Sequence, residues 1–225
     1  VDRAGLVGSD GQTHHGCFDL SYLSAMPNMQ VLAPKNLWEL SDMMKYAVGT
    51  NGPIAIRYPG GTAYTGLEEF RSPIEYGKSE IIYWESEIAL FPVGSMVEIA
   101  EQVRTELKKE GYQVSIINAR FVKPIDEEML KKISEKHNLL VTLEENVITG
   151  GFGQQVLNAC SFNQNKLRCY PIAIPDLFIE QGNVNQLRAD VGIDVPTIIN
   201  RIKKELEEVY NERKTGCFSS QTWNS

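Results

Sequence analysis

The residues best equipped for chemistry crowd into one segment, Gly8-Ser9-Asp10-Gly11-Gln12-Thr13-His14-His15-Gly16. Glycine lets a backbone come close to a ligand, and a carboxylate near a histidine can move protons around neutral pH. The same composition also describes a glycine-rich surface loop, and on residue types alone both readings stay open. Adjacent histidines are poor partners in one tetrahedral metal site, and no third ligand lies nearby, so no metal is assigned to this chain.

A second candidate is Thr149-Gly150-Gly151-Phe152-Gly153, where a glycine-rich turn opens a helix and could cradle phosphate. As a dinucleotide fingerprint it fails, because the third glycine is missing from Gly151-Phe152-Gly153-Gln154-Gln155-Val156. Tight helix–strand packing is the better account. Glu144 and Glu145 stand just before it, at the end of a strand, where open α/β sheets place ligands. Neighbouring carboxylates point in different directions, so the expectation is that one caps or bridges to another element.

These segments need a scaffold, and the hydrophobic pattern supplies one. A strand at Met29–Pro34 leads to Asn36, which with Glu39 makes a capping box for a helix carrying Leu37, Leu40, Met44 and Ala47 up to Gly49. A strand at Pro53–Tyr58 follows and stops at Pro59-Gly60-Gly61. Residues 60–86 lose all period and read as a linker. Beyond it the pattern predicts strands at Glu87–Val93, Val114–Ile117, Leu139–Leu143 and Tyr170–Ile174. Helices are expected from a Ser95/Glu98 capping box to Lys109, from Asp126 to Lys136, over Gly153–Cys160 and over Pro196–Tyr210, with a loose polar tail from Asn211. This alternation implies an α/β fold with a mostly parallel sheet. It also suggests that residues from about 80 to 210 fold independently, with proteolysis falling between Gly60 and Glu85.

The 225 residues carry a net charge of −7, which argues against a nucleic-acid partner. No apolar run approaches the ~18 residues of a membrane span. Four irregularly spaced cysteines suit a reducing, cytoplasmic setting rather than a disulfide framework. The opening Val1-Asp2-Arg3-Ala4-Gly5 reads as the start of a piece of something longer.

Several blocks together resemble the 1-deoxy-D-xylulose 5-phosphate synthase family of transketolase-like enzymes. They are Asp2 to His14, Pro27-Asn28-Met29, Ala33-Pro34, Ile56-Arg57-Tyr58-Pro59, Asn118 to Pro124, Val141 to Glu145, Gly150 to Gly153 and Ile174-Pro175-Asp176, all in collinear order. The resemblance implies the second half of a pyrimidine-binding α/β domain over residues 1–66, a linker over 67–85, a transketolase C-terminal α/β domain over 86–210 and a polar tail over 211–225. It implies thiamine diphosphate and Mg²⁺ as cofactors, held mainly by a preceding region, and pyruvate and D-glyceraldehyde 3-phosphate as substrates of a homodimer. On this resemblance Asp10 and His14 match the catalytic pair, and Arg3 matches an arginine that grips the aldehyde's phosphate. Gly60 stands where a second phosphate-binding arginine is usual, and Glu180-Gln181-Gly182 departs from the usual pattern after Phe178. This chain alone is expected to be inactive. Alternatives are a related enzyme with another acceptor, or a non-catalytic module for dimerisation or docking.

Overall fold

The computed structural model describes residues 1–162 and 167–215. A five-stranded sheet forms its centre. In chain order the elements are α1 (Asp19–Ala25), β1 (Gln30–Leu32), α2 (Leu37–Val48), β2 (Ile54–Ile56), β3 (Glu80–Tyr83), β4 (Glu87–Pro92), α3 (Met96–Lys109) and β5 (Val114–Asn118). There follow β6 (Phe121–Lys123), α4 (Glu127–Lys136), β7 (His137–Val147), α5 (Phe152–Phe162), β8 (Arg168–Ile174), α6 (Val184–Asp190) and α7 (Val195–Thr215). The large sheet runs β3-β5-β4-β7-β8, and a small one runs β2-β1-β6. β5, β4, β7 and β8 are parallel, while β3 joins the edge antiparallel. The α/β class with a mostly parallel sheet is therefore as the alternation predicts.

The local reasons are largely those the sequence offers. Asn36 caps α2 by accepting from Glu39 N at 2.9 Å, and Asp126 caps α4 by accepting from Met129 N at 3.0 Å. β4 and β5 are almost wholly buried apolar runs, as expected of strands covered on both faces by helices. Two capping boxes differ from expectation. Glu39 reaches back to Lys35 N at 2.7 Å instead of Asn36 N. Ser95 makes no cap bond and instead donates to Glu145 Oε2 at 3.1 Å. Glu39 is drawn inward by Lys35 Nζ and Arg120 and Ser95 by the Glu145 carboxylate, and such charge-assisted bonds are the stronger ones.

The segment expected as a linker is structured and pinned. Residues 80–83 form β3, Leu67 is buried, and Asn36 Nδ2 donates to Gly66 O at 2.9 Å. Arg120 donates to Ser72 O at 2.9 Å and to Pro73 O at 3.0 Å. The expected loose tail also begins as helix, since α7 continues to Thr215; the rest of it lies outside the described residues.

Nor are the two halves separate bodies. β6 pairs antiparallel with β1 across Val31–Lys123 and Leu32–Phe121. One apolar cluster joins Leu6 and Cys17 to Ile88, Leu90 and Leu143, and another joins Leu20, Val31 and Ala33 to Ala89 and Phe91. Between them lies a buried ion network. Lys35 Nζ donates to Glu39 at 3.0 Å and Glu80 at 2.6 Å, while Arg120 donates to the same two carboxylates at 2.7 Å each. Burial pushes the Glu80 carboxyl upward, but Arg120 and Lys35 outweigh it and hold the group below its ordinary range. Independent folding of residues 80–210 does not fit this shared interior.

Candidate functional site

The loop of residues 1–16 is tied down at both ends before any ligand is considered. Tyr58 N donates to Val1 O at 3.0 Å and Ala4 N to Tyr58 O at 3.1 Å, which stitch the chain start to the end of β2. Gly5 and Gly16 exchange backbone bonds at 3.0 and 2.8 Å. Gly5 has φ +70°, and a Cβ there would sit 2.4 Å from Glu145 Oε2. Only glycine lets the backbone cross directly over that carboxylate. Arg57, itself buried, donates to Asp19 Oδ1, Gly16 O and Glu145 O, each at 2.8 Å. One guanidinium thus joins the loop, α1 and β7.

The far side of the loop is clamped by residues 178–184. Gly182 N donates to Gly8 O at 3.1 Å, and Gln12 Nε2 donates to Glu180 Oε1 at 2.6 Å. His15 is buried; Val7 N donates to its Nδ1 at 3.0 Å, so Nε2 carries the hydrogen and faces Glu180 O at 3.3 Å. The departure at Glu180-Gln181 therefore lies against the motif loop. His15 is a structural residue.

Beside this loop opens a cleft of about 780 Å³. Arg3 and Asp10 both line it, paired at 3.0 Å and about half exposed. Gly60 lines it as well, its φ outside the left-handed region, and a Cβ there would meet Asp2 O at an ordinary 3.5 Å. Three lining cations, Arg3, Lys35 and Arg188, stand against four carboxylates, Asp2, Asp10, Glu98 and Glu145. Anion binding here cannot rest on net field and has to come from individual contacts.

His14 follows Asp10 after a single 3₁₀ turn, Gly11–Thr13, and is exposed outside the cleft lining. Thr13 Oγ1 directs its hydrogen to Asp10 O at 3.3 Å and lies 2.9 Å from His14 Nδ1. The Thr13 hydroxyl thus fixes one edge of the exposed His14 ring. The structure brings Arg3 and Asp10 into contact and keeps His14 on the rim.

The paired glutamates divide the work. Glu144 accepts from Phe152 N and Gly153 N at 2.8 Å each, closing the start of α5. A Cβ on Gly153 would lie 2.6 Å from Pro171 Cβ and 2.7 Å from Thr142 Oγ1, so that glycine serves close packing, as expected. The glycine-rich turn holds a carboxylate from its own chain. Burial drives the Glu144 carboxyl up to about 8, against the pull of those two N–H donors. Burial, with Glu145 next in effect, also drives the Cys17 thiol up to about 12, which makes it inert. Glu145 instead reaches the cleft wall, where Arg188 Nε donates to it at 3.0 Å. Arg188 carries no signal in the sequence and Ser95 only that of a helix cap, because their role depends on a partner 43 and 50 positions away.

Among the described residues no helix is long and apolar enough to cross a membrane, and no group of three or more His, Cys, Asp or Glu side chains could hold a metal ion.

Comparisons with known proteins fit this architecture. A curated 1-deoxy-D-xylulose-5-phosphate synthase of Lachnoclostridium phytofermentans is 48% identical over 206 residues, 91% of this chain and 33% of its own length. The enzyme of the same name from Clostridium tetani is 43% identical over 91% of this chain and 33% of its length. The chain thus spans about a third of the curated relatives it matches. Among solved structures, one titled split gene transketolase, inactive beta4 tetramer, superimposes with a TM-score of 0.78 at 24% identity, covering 89% of this chain and 65% of that one. A transketolase from Pichia stipitis superimposes at 0.70 with 18% identity, covering 92% of this chain and 29% of that one. Residues 1–64 match the transketolase pyrimidine binding domain and residues 77–198 the transketolase C-terminal domain, so the chain belongs to the transketolase family.

Proposed function

We propose that this chain is the pyrimidine-side and C-terminal portion of a thiamine diphosphate-dependent 1-deoxy-D-xylulose 5-phosphate synthase. The reading divides it at residues 1–66, 67–85 and 86–210. The observation that carries it is the Arg3–Asp10 pair, held in one cleft by a loop whose sequence and relatives both point to that synthase. The substrates are pyruvate, which loses CO₂, and D-glyceraldehyde 3-phosphate, which accepts the two-carbon unit. The enzyme works as a homodimer.

Bound thiamine diphosphate supplies the electron sink for decarboxylation. The described residues do not fit Mg²⁺, since no three of their His, Cys, Asp or Glu side chains gather as ligands. We assign the metal, and with it the diphosphate end of the cofactor, to a region outside this chain. Its own residues have narrower tasks. Arg3 holds the anionic end of the acceptor, Asp10 orients Arg3 and the acceptor's hydroxyls, and His14 takes or returns a proton at the acceptor oxygen.

A hybrid joining this chain to the remaining two thirds of the Lachnoclostridium relative tests the proposal. It should form 1-deoxy-D-xylulose 5-phosphate from the two substrates, whereas this chain alone should form none. A hybrid that folds and releases CO₂ from pyruvate but makes no such product sinks the synthase reading. A micromolar thiamine diphosphate site on the isolated chain sinks the division of labour. A second reading, a related enzyme with a different acceptor, is favoured by one observation: position 60 on the cleft wall carries no cation.

A further inference from the structure

We infer that Arg188, at the end of α6, is the second anion-gripping residue of the cleft and sets its preference for a phosphorylated acceptor. This deepens the synthase reading and rests on it. Of the three lining cations, Lys35 is unsuited to the task, being 1% exposed and bonded to Glu39 and Glu80. Arg3 is available but half exposed, where a single ionic contact is weak. Arg188 is different. Its side chain is 20% exposed, in the lining of the same cleft as Arg3 and Gly60.

Its guanidinium is also held rather than loose. Nε donates to Glu145 Oε1 at 3.0 Å and NH2 to Glu145 Oε2 at 3.4 Å, so one edge of the fork is fixed. Glu145 cannot swing away, being 1% exposed, bonded to Ser95 Oγ at 3.1 Å and roofed by Gly5. The NH1 corner makes no hydrogen bond to the described residues. Arginine's planar fork suits a phosphate monoester, and fixing it beforehand removes much of the ordering cost of binding. Glu145 is then a positioning residue: its fixed charge aims Arg188.

Glycerol 3-phosphate is an unreactive probe for this site, with glycerol as the neutral control, both titrated into this chain by calorimetry and by NMR. Removing Arg188 alone would strand a buried carboxylate, so the informative variant is Arg188→Gln/Glu145→Gln, which removes both charges together. It should weaken glycerol 3-phosphate binding by about 10- to 150-fold, the range for one lost charge-assisted contact, and leave glycerol unaffected. Adding Gly60→Arg to that variant should recover most of the loss, since position 60 accepts a side chain without strain. Arg188→Lys should fall between, keeping charge and losing the fork. Thermal midpoints keep misfolded variants from being scored. Equal affinity in parent and double variant overturns the inference, and so does a parent chain that binds the phosphorylated probe no better than glycerol. Product formation by the hybrid enzyme is read separately, so failure of the synthase reading is recognised on its own.

Discussion

Glu144 should give this protein a stability that falls as pH rises, the reverse of the usual behaviour of a carboxylate. Burial lifts its carboxyl from the ordinary 4.5 to about 8. Between those values the folded chain holds a proton that the unfolded chain has released. Stability from this group is complete below about pH 4.5 and is lost progressively until the folded group ionises near pH 8. At about 1.4 kcal/mol per pH unit the whole loss amounts to about 5 kcal/mol. Glu144→Gln keeps the shape but cannot titrate. Its amide also sets an N–H against Phe152 N–H or Gly153 N–H, leaving one donor unpaired at a cost of about 1–3 kcal/mol. Urea unfolding across neutral pH, compared between parent and variant, isolates the term from other titrating groups. The variant should be the weaker at mildly acidic pH, and its deficit should shrink by about 1.4 kcal/mol per unit as pH rises. Parallel curves would show that the two backbone donors keep Glu144 ionised throughout and that burial does not win.

In the hybrid enzyme, His14→Ala should lower turnover by ~10²–10⁴-fold while leaving cofactor affinity within a few-fold, measured by steady-state kinetics and cofactor titration; parent-like turnover would return His14 to a loop residue. Arg120→Met removes one cation from the network that Lys35, Glu39 and Glu80 complete, and should cost about 3–5 kcal/mol in urea unfolding. Because both apolar clusters draw from either side of residues 60–79, tryptophan fluorescence and circular dichroism should report one coincident unfolding transition, and two separated transitions would refute a shared core.

What the sequence reveals here is whatever repeats with a period or is decided within a few residues. The buried parallel strands and the caps at Asn36 and Asp126 are of that kind, and so is the packing role of Gly153. Short antiparallel additions are not. β6 is three residues followed by Pro124, and β3 is the four residues Glu80–Tyr83, so neither is long enough to show a period in the sequence. α1 has seven residues and no side-chain cap. β7 runs on through Glu144, Glu145 and Asn146, where three polar residues argue for a strand end. They stay buried because each has a fixed partner: the start of α5, Arg188, and Leu20 N. Of the candidate site, Asp10 and His14 stand in one dense motif and Arg3 enters through the family resemblance, whereas Arg188 becomes visible only when α6 is folded over the loop.

The motif loop owes its geometry to residues that look unrelated to chemistry. Gly5 crosses over Glu145, Glu145 anchors Arg188 and Ser95, and Arg57 ties the Glu145 backbone to Gly16 and Asp19. Each link joins the loop to the end of β7, the strand that also carries Glu144. A bulky residue at position 5 must displace a carboxylate that has nowhere to go, and loss of Arg57 strands Asp19, whose Oδ2 already lacks a partner. Such buried charges contribute little net stability when complete, yet breaking one is costly, so they act as a lock on register more than as glue. The loop's position is therefore a property of the C-terminal sheet. A transketolase-type cleft of this design cannot be moved onto the pyrimidine-side segment alone, because two of its three cations, Lys35 and Arg188, depend on carboxylates from residues 80 and 145.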